Sequence, residues 1–473
     1  MKTLVWFRND LRIADHPALH DAGSRGLVEA VFLVADRQWR AHDVGDNRLA
    51  FLLDTLHRHA DDLERLGIPL HVLHVPDFAG AAPALVALAR KVGARAIAFN
   101  EEYPLNERVR DSHVCNDGAA AGIDVRIHQG STVLPPGVLL TGGGDPYTVF
   151  SPFKRRWLGT IDLAAVEPLP RPRRQTGAAL AAADPTGPRA VPEAIDGVTR
   201  AGPVAHLWPG GADEAERRLE TFVERAIARY HEARDFPARP GTSTLSPYLS
   251  VGAISPRQCL AAAVAANGGR LVGGNPGIEH WINELIWRDF YRHVIALFPH
   301  VSRGQAFRPD MDRVPWRHAP DELLAWQAGR TGYPLVDAAM RQLAATGWMH
   351  NRLRMLTAMF LTKHLLIDWR AGERWFMQQL VDGDFAANNG GWQWSASTGT
   401  DAAPYFRIFN PVTQAQRFDP DGTFVRAHVQ ELAGVTGKAI FGPYRHGVAG
   451  YPAPIVDHAF ARQRALEAFK SAR

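Results

Sequence analysis

The chain has 473 residues, 46% hydrophobic and 22% charged, and 53 Lys+Arg against 49 Asp+Glu leave a net charge of +4. This is ordinary globular usage, which excludes disordered, collagenous and disulfide-scaffold proteins, and the length suits two to four structural units at roughly 100 to 200 residues each. Two cysteines, Arg8, Asp10 and Arg12 ahead of any signal-length apolar run, and no uncharged stretch of about 18 residues point to a soluble cytoplasmic chain without a membrane span. The mild basic excess permits a polyanionic partner without demanding one.

The first 130 residues alternate β-branched runs with amphipathic stretches. The runs Leu4 to Phe7, Val28 to Ala35, Pro69 to Val75, Ala94 to Asn100 and Asp124 to His128 predict five strands of a parallel α/β sheet. Ligands of such sheets sit beyond the carboxyl ends of strands, which singles out the loops Asn9 to Arg12 and Asn100 to Asn106. No strand is followed by Gly-x-Gly-x-x-Gly or a Walker A run, so nucleotide cradles of those two kinds are absent.

From Arg171 to Pro203 the chain is rich in Pro, Gly and Ala without sustained periodicity, as in a surface linker. Helical signals dominate afterwards, so an all-α C-terminal domain is expected. The domain reading is 1–130 α/β, 131–205 linker and 206–473 helical. Asp213 with Glu216 resembles a capping box, Leu219, Phe222, Val223, Ala226, Ile227 and Tyr230 recur at helical spacing, and Ser255-Pro256 reads as an N-cap with a proline at the first helical position.

The run Gly277 to Phe298 has helical length and two stripes. Ile278, Trp281, Ile282, Leu285 and Ile286 are apolar and dock the helix, whereas Glu284, Trp287, Arg288 and Tyr291 recur at i, i+3, i+4, i+7. The second stripe is either a solvated face or a site wall, in which an aromatic plane stacks on a flat ligand while charged groups fix its polar edges. In Gly347 to Leu366, Met355, Leu356, Met359 and Phe360 pack, while His350, Asn351, Arg352 and Arg354 crowd the first turns. Cations at a helix start oppose the macrodipole, which favours an anionic partner. Asp382 to Trp394 combines three glycines, two carboxylates and two asparagines, read either as an Asx-rich turn or as a loop that approaches a ligand closely. Gly241 to Ser246 is hydroxyl-rich, suited to phosphates or simply to capping. No zinc-type Cys/His spacing, HExxH or GxSxG run occurs, which leaves metal and hydrolytic chemistry little support. Of 13 tryptophans, nine fall between Trp281 and Trp394, more than core packing ordinarily needs.

The runs TGYPLVDAAMRQL (331 to 343), GWMHNRLRM (347 to 355), DGDFAANNGGWQWSASTGTDAAPYFRIFNP (382 to 411) and NELIWRDFYRH (283 to 293), with the opening LVWFRNDLR, closely resemble the photolyase/cryptochrome family. Within it they look like the bacterial class I branch that acts on cyclobutane pyrimidine dimers. The resemblance implies a five-stranded parallel α/β antenna domain, an all-α FAD-binding domain and light-driven electron transfer from reduced FAD to a dimer flipped out of UV-damaged DNA. It further implies that Tyr230, the Thr242, Ser243, Thr244, Leu245, Ser246 loop, Trp281, Arg288, Arg354, Asp382, Asp384 and Asn388 surround FAD. Asn388 would face flavin N5, and Arg354 would pair with Asp382. Trp316, Trp369 and Trp392 match the electron-transfer triad. Glu284, Trp287, Asn351, Met355 and Trp394 would line the dimer cavity, with Tyr291 beside them, and Arg234, Arg352 and Arg407 would meet phosphates. Together with Asn388, the residues Glu284, Trp287, Met355 and Trp394 are the expected catalytic set.

His42, Asn106 and Glu107 match residues that hold a methenyltetrahydrofolate antenna. Two departures from the family pattern stand out: Thr244 where Arg is frequent, and Arg303 where a lysine contact of the antenna occurs. Relatives that repair 6-4 photoproducts carry a second histidine where Met355 stands, and Asn388 is the photolyase choice. The implied protein is a monomeric DNA repair lyase, with a cryptochrome-like photosensor as the alternative. Extrusion of the lesion and phosphate-borne affinity suit the aromatic and arginine positions.

Overall fold

The computed structural model describes residues 1–176 and 191–472. They form two compact units, one of Met1–Tyr147, Ser151–Ala228 and Ser243–Leu297 and the other of Thr148–Phe150, Arg229–Thr242 and Phe298–Arg473.

In the first unit β1 (Lys2–Phe7), β2 (Leu27–Val34), β3 (Leu70–His74), β4 (Ala96–Asn100) and β5 (Asp124–His128) form one parallel sheet in the order β3-β2-β1-β4-β5. Each of the five runs read from the sequence is one of these strands. Their apolar continuity, with Leu4, Val5, Phe7, Val31, Ile97 and Phe99 almost fully buried, marks a sheet covered on both faces. Between the strands lie α1 (Pro17–Arg25), α2 (Asp36–Ala41), α3 (Asp46–Arg65), α4 (Ala81–Val92) and α5 (Leu105–Ala120). Strand order reverses between β1 and β4, so the loops after these two strands flank the switch point. Polar side chains fill it: Asn100 donates to Asp10 at 2.8 Å, Asn9 to Glu102 at 2.7 Å and Arg8 to Asp111 at 2.8 Å. The Trp6 ring there has the guanidinium carbons of Arg8 and Arg110 at 4.5 and 4.6 Å from its centroid.

Helix α6 (Phe150–Thr160) follows, then a two-strand hairpin, β6 (Ala194–Ile195) and β7 (Val198–Thr199). Its turn residues Asp196 and Gly197 have φ 48° and 76°, the left-handed pair that a tight hairpin requires. This hairpin lies within the stretch read as a linker, of which residues 177–190 fall outside the described residues. Helices α7 (Ala212–Arg225), α8 (Tyr230–Ala233), α9 (Ser246–Val251), α10 (Pro256–Ala266) and α11 (Pro276–Leu297) come next, α8 belonging to the second unit. Ser255 and Gln258 form the full capping box of α10. The capping box read at Asp213 and Glu216 does not form. Gly211 is the N-cap of α7 with no side-chain bond, and Glu216 instead meets Arg171 at 3.3 Å.

The second unit is helical. It holds α12 (Pro320–Gln327), α13 (Pro334–Thr346), α14 (Asn351–Met359), α15 (Trp369–Gln379), α16 (Phe385–Ala396), α17 (Pro411–Phe418), α18 (Thr423–His428) and α19 (His458–Ser471). Its core runs from Trp326 and Met340 through Leu353, Phe360 and Trp369 to Trp392 and Phe424. Helix α14 passes into a π-helical turn, Phe360–His364. The fully buried Lys363 of that turn donates to Ala396 O at 3.1 Å and Ser397 Oγ at 2.8 Å, tying α14 to the end of α16. Burial alone pushes the Lys363 ammonium well below the usual lysine range.

Candidate active site

Helix α11 has the two stripes expected of it. Ile278, Trp281, Ile282, Leu285 and Ile286 are buried, whereas Glu284, Trp287, Arg288 and Tyr291 are half-buried. Trp281 packs on Phe222 with ring centroids 5.3 Å apart, and Trp287 lies 5.5 Å from Tyr291. Arg288 donates to the carbonyls of Ser131 and Leu249, the latter at 3.2 Å. The helix is locked in rotation by Asp289, a fully buried carboxylate that accepts from Val133 N at 3.1 Å, Leu134 N at 3.0 Å and Trp157 Nε1 at 3.0 Å. Desolvation outweighs these donors and raises the Asp289 carboxyl above the usual range.

The hydroxyl loop is held by its surroundings. Gly241 lies where a Cβ would sit 2.5 Å from Ala233 Cβ, so only glycine fits. Thr244 is left-handed at φ 51°, Leu245 is buried and Ser246 opens α9. Thr244 Oγ1 accepts from Arg218 at 3.2 Å.

In the second unit α14 and α16 pack together. The two arginines near the start of α14 have the anionic partners their position calls for, and both partners are intramolecular. Arg354 donates to Asp382 at 2.8 Å, the ion pair the resemblance implied, and to Met349 O at 2.8 Å. Asp382 is buried to 2% side-chain exposure, and its second oxygen has no partner among the described residues. Arg352 pairs with Asp235 at 2.7 Å, stacks on Phe418 at 4.6 Å and lies 3.9 Å from the Met355 sulfur. Asn351 is exposed at the first turn. His350 caps α14 by accepting from Arg352 N at 3.2 Å, and burial lowers it to about 4.

The Asp382 to Trp394 run is a helix rather than a turn from Phe385 onward. Asp384 accepts from Ala387 N at 3.0 Å as N-cap of α16, which carries Asn388, Trp392 and Trp394. Asn388 donates to Glu373 O at 3.0 Å and Asn389 to the Glu373 carboxylate at 2.8 Å, which fixes the amide of Asn388 by its nitrogen. Tyr230 is buried on α8 beneath the Arg234 guanidinium at 5.1 Å, Thr242 closes the adjoining segment, and Arg407 is exposed with Phe409 5.7 Å below its charge.

Of the three tryptophans, Trp369 and Trp392 are buried, at 0% and 2% exposure, and Trp316 is half-buried. The indole N–H groups of Trp369 and Trp316 have no acceptor among the described residues.

At the sheet, His42 Nε2 meets Asn106 Nδ2 at 2.9 Å and Gln38 Nε2 at 3.0 Å, and His42 Nδ1 lies 4.0 Å from Glu107. Burial, then the neighbouring Glu102 charge, raises the Glu107 carboxyl to about 7, while burial lowers His42.

Sequence reading missed Arg218, Asp235, Glu373 and Gly372. Asp235 follows Arg234 directly, but nothing in one sequence shows that it pairs with a residue 117 positions away.

An ion pair with an orphaned buried acceptor, an amide anchored from behind and two buried indoles with a half-buried third make an arrangement suited to a planar redox cofactor. The comparisons agree. Residues 3–173 match the DNA photolyase model and 281–471 the FAD binding domain of DNA photolyase. The chain is 44% identical to the deoxyribodipyrimidine photo-lyase of Salmonella typhimurium and 43% to that of Escherichia coli, over 99% of this chain and 98% of each relative. Its structure is similar to a bacterial class III photolyase from Agrobacterium tumefaciens, with a TM-score of 0.88, 35% identity and coverage of 100% and 97%. A Synechocystis cryptochrome superposes with a TM-score of 0.83 at 28% identity, covering 99% of each chain. The chain therefore belongs to the photolyase/cryptochrome family, and its C-terminal portion is that family's FAD-binding domain.

Proposed function

We propose that this chain is a light-driven DNA repair lyase that splits cyclobutane pyrimidine dimers. One observation carries the reading: Asp382 is paired on one oxygen to Arg354 and left with a second, buried oxygen that needs a donor, as a flavin ring N–H would supply. When bound, FAD supplies the light-excited electron that opens the dimer and takes it back afterwards.

The residues serve that chemistry in separate ways. The Thr242 to Ser246 loop takes the diphosphate of FAD, Trp281 and Arg288 border the cofactor, and Tyr230, Asp384 and Asn388 complete its surroundings. The amide nitrogen of Asn388 is committed to Glu373, so its oxygen is the group turned to the ring. Glu284 hydrogen-bonds the polar edge of the dimer, Trp287 and Trp394 stack on its bases, and Tyr291, Asn351 and Met355 border it. Arg234, Arg352 and Arg407 meet phosphates, which gives affinity without sequence preference. Trp316, Trp369 and Trp392 pass reducing equivalents inward from the half-buried Trp316 to the two buried indoles.

His42, Asn106 and Glu107 hold a folate antenna of the methenyltetrahydrofolate type, their amide, imidazole and protonatable carboxyl suiting a pterin edge. Residues 1–130 serve the antenna, 131–205 connect, and 206–473 carry flavin and DNA. The protein works as a cytoplasmic monomer on duplex or single-stranded damaged DNA. Illumination of the reduced protein with an oligonucleotide containing a thymine dimer should restore absorbance at the intact-base band. Absence of light-dependent recovery would favour the photosensor reading that the Synechocystis likeness keeps open.

A further inference from the structure

We infer that Arg218 is the positioning residue of the hydroxyl loop, holding Thr244 in its left-handed turn so that the neighbouring hydroxyls and backbone N–H groups face a nucleotide diphosphate. This rests on the reading that the 242–246 loop receives the diphosphate of FAD.

Thr244 is a β-branched residue at φ 51°, a conformation that costs energy and persists only where the surroundings over-determine it. One such restraint here is a guanidinium. Arg218 Nη1 donates to Thr244 Oγ1 at 3.2 Å, Nε to Glu214 at 2.7 Å and Nη2 to Leu207 O at 3.0 Å. Its carbon lies 5.2 Å from the ring centroids of both Trp208 and Tyr248. The Tyr248 hydroxyl is itself fixed to Pro209 O at 2.9 Å. Every nitrogen of the fork has an acceptor and two aromatic rings lie against its carbon, so the side chain is immobilised before any ligand arrives.

The role is geometric rather than coulombic. Three of the five N–H groups of Arg218 are committed to Glu214, Thr244 and Leu207, and Glu214 sits against the guanidinium while also pairing with Arg217. A lysine would keep the charge and lose the fork, so it should not substitute.

The test uses the full-length protein freed of flavin and titrated with FAD and with riboflavin, which lacks the diphosphate, by flavin fluorescence. Arg218→Met, Arg218→Lys and Thr244→Val are each expected to weaken FAD binding about tenfold while leaving riboflavin binding unchanged, and the Arg218→Met/Thr244→Val pair should be no worse than either alone. Thr244→Val spares the other contacts of Arg218 and so keeps the test independent of any folding defect in the arginine variants. Wild-type FAD affinity in Thr244→Val, retention by Arg218→Lys, or a parallel fall for both flavins would overturn the inference alone. A wild type that binds FAD no more tightly than riboflavin would remove the diphosphate reading of the loop and the inference with it.

Discussion

Gly372 of α15 has no side chain because the six-membered ring of Trp392 occupies the space: a Cβ there would lie 2.1 Å from Trp392 Cη2 and 2.4 Å from its Cζ3. Trp392 is thereby pressed against the backbone of the helix that carries Trp369, with Phe376 at 5.0 Å and Trp326 at 6.1 Å on other sides of its ring. Backbone contact of this kind fixes where an indole sits more firmly than side-chain packing does.

Gly372→Ala therefore overpacks the joint between α15 and α16. A loss of roughly 1 to 3 kcal/mol of stability is expected in chemical denaturation, with slower photoreduction of oxidised flavin. Unchanged stability together with unchanged photoreduction would mean that the ring is free to move aside.

Trp316→Phe should slow photoreduction of oxidised flavin and spare repair by protein that is already reduced, because Trp316 is the one half-buried member of the three indoles. Transient absorption and single-turnover repair measure the two separately, and equal loss of both would contradict the relay.

The Arg352 and Asp235 pair predicts opposite effects from its two halves. Removal of Arg352 should weaken damaged and undamaged DNA binding together and reduce the salt slope by about one. Asp235→Asn should instead raise affinity for undamaged DNA several-fold at low salt, since a phosphate then has no carboxylate to displace and a partly exposed pair of this kind is worth about 0.2 to 1 kcal/mol. Filter binding across a salt series reads both.

Acid should destabilise the fold before most carboxylates titrate. Burial lowers His59 and His364 to about 3 and His293 and His350 to about 4, so all four stay neutral in the native chain while their unfolded counterparts accept protons near 6.5. Stability is thus complete above about 6.5 and falls as pH drops toward 4, each histidine adding about 1 kcal/mol per pH unit to the slope. A thermal midpoint that is flat between pH 6.5 and 4.5 would refute this.

Glu107 works in the other sense. Its carboxyl is raised to about 7, so its protonated form stabilises the fold at low pH and that contribution is lost as pH rises from about 4.5 through 7. Glu107→Gln should raise the thermal midpoint by a few degrees at pH 8 and change it little at pH 5, as followed by circular dichroism.

The elements that were legible in the sequence are those whose information is local. β1 to β5 announce themselves by β-branched runs of strand length, α10 by Ser255, Pro256 and Gln258, and α11 by two stripes at helical spacing, because burial of one face and satisfaction of end groups depend on residues a few positions apart. The long family runs likewise named the cofactor and the candidate residues.

What only tertiary structure decided is the set of partners. Asp382 to Trp394 reads by composition as a turn or a ligand-approaching loop, yet from Phe385 onward it is helical. It is a helix because Asp384 caps it and α15, bare at Gly372, admits Trp392. The same holds for Asp235 with Arg352, Asp289 with the 133–134 backbone and Arg218 with Thr244. Such pairs join residues tens to more than a hundred positions apart, and charge and hydrogen-bonding capacity state only that a partner is needed, never which one the folded backbone brings within reach.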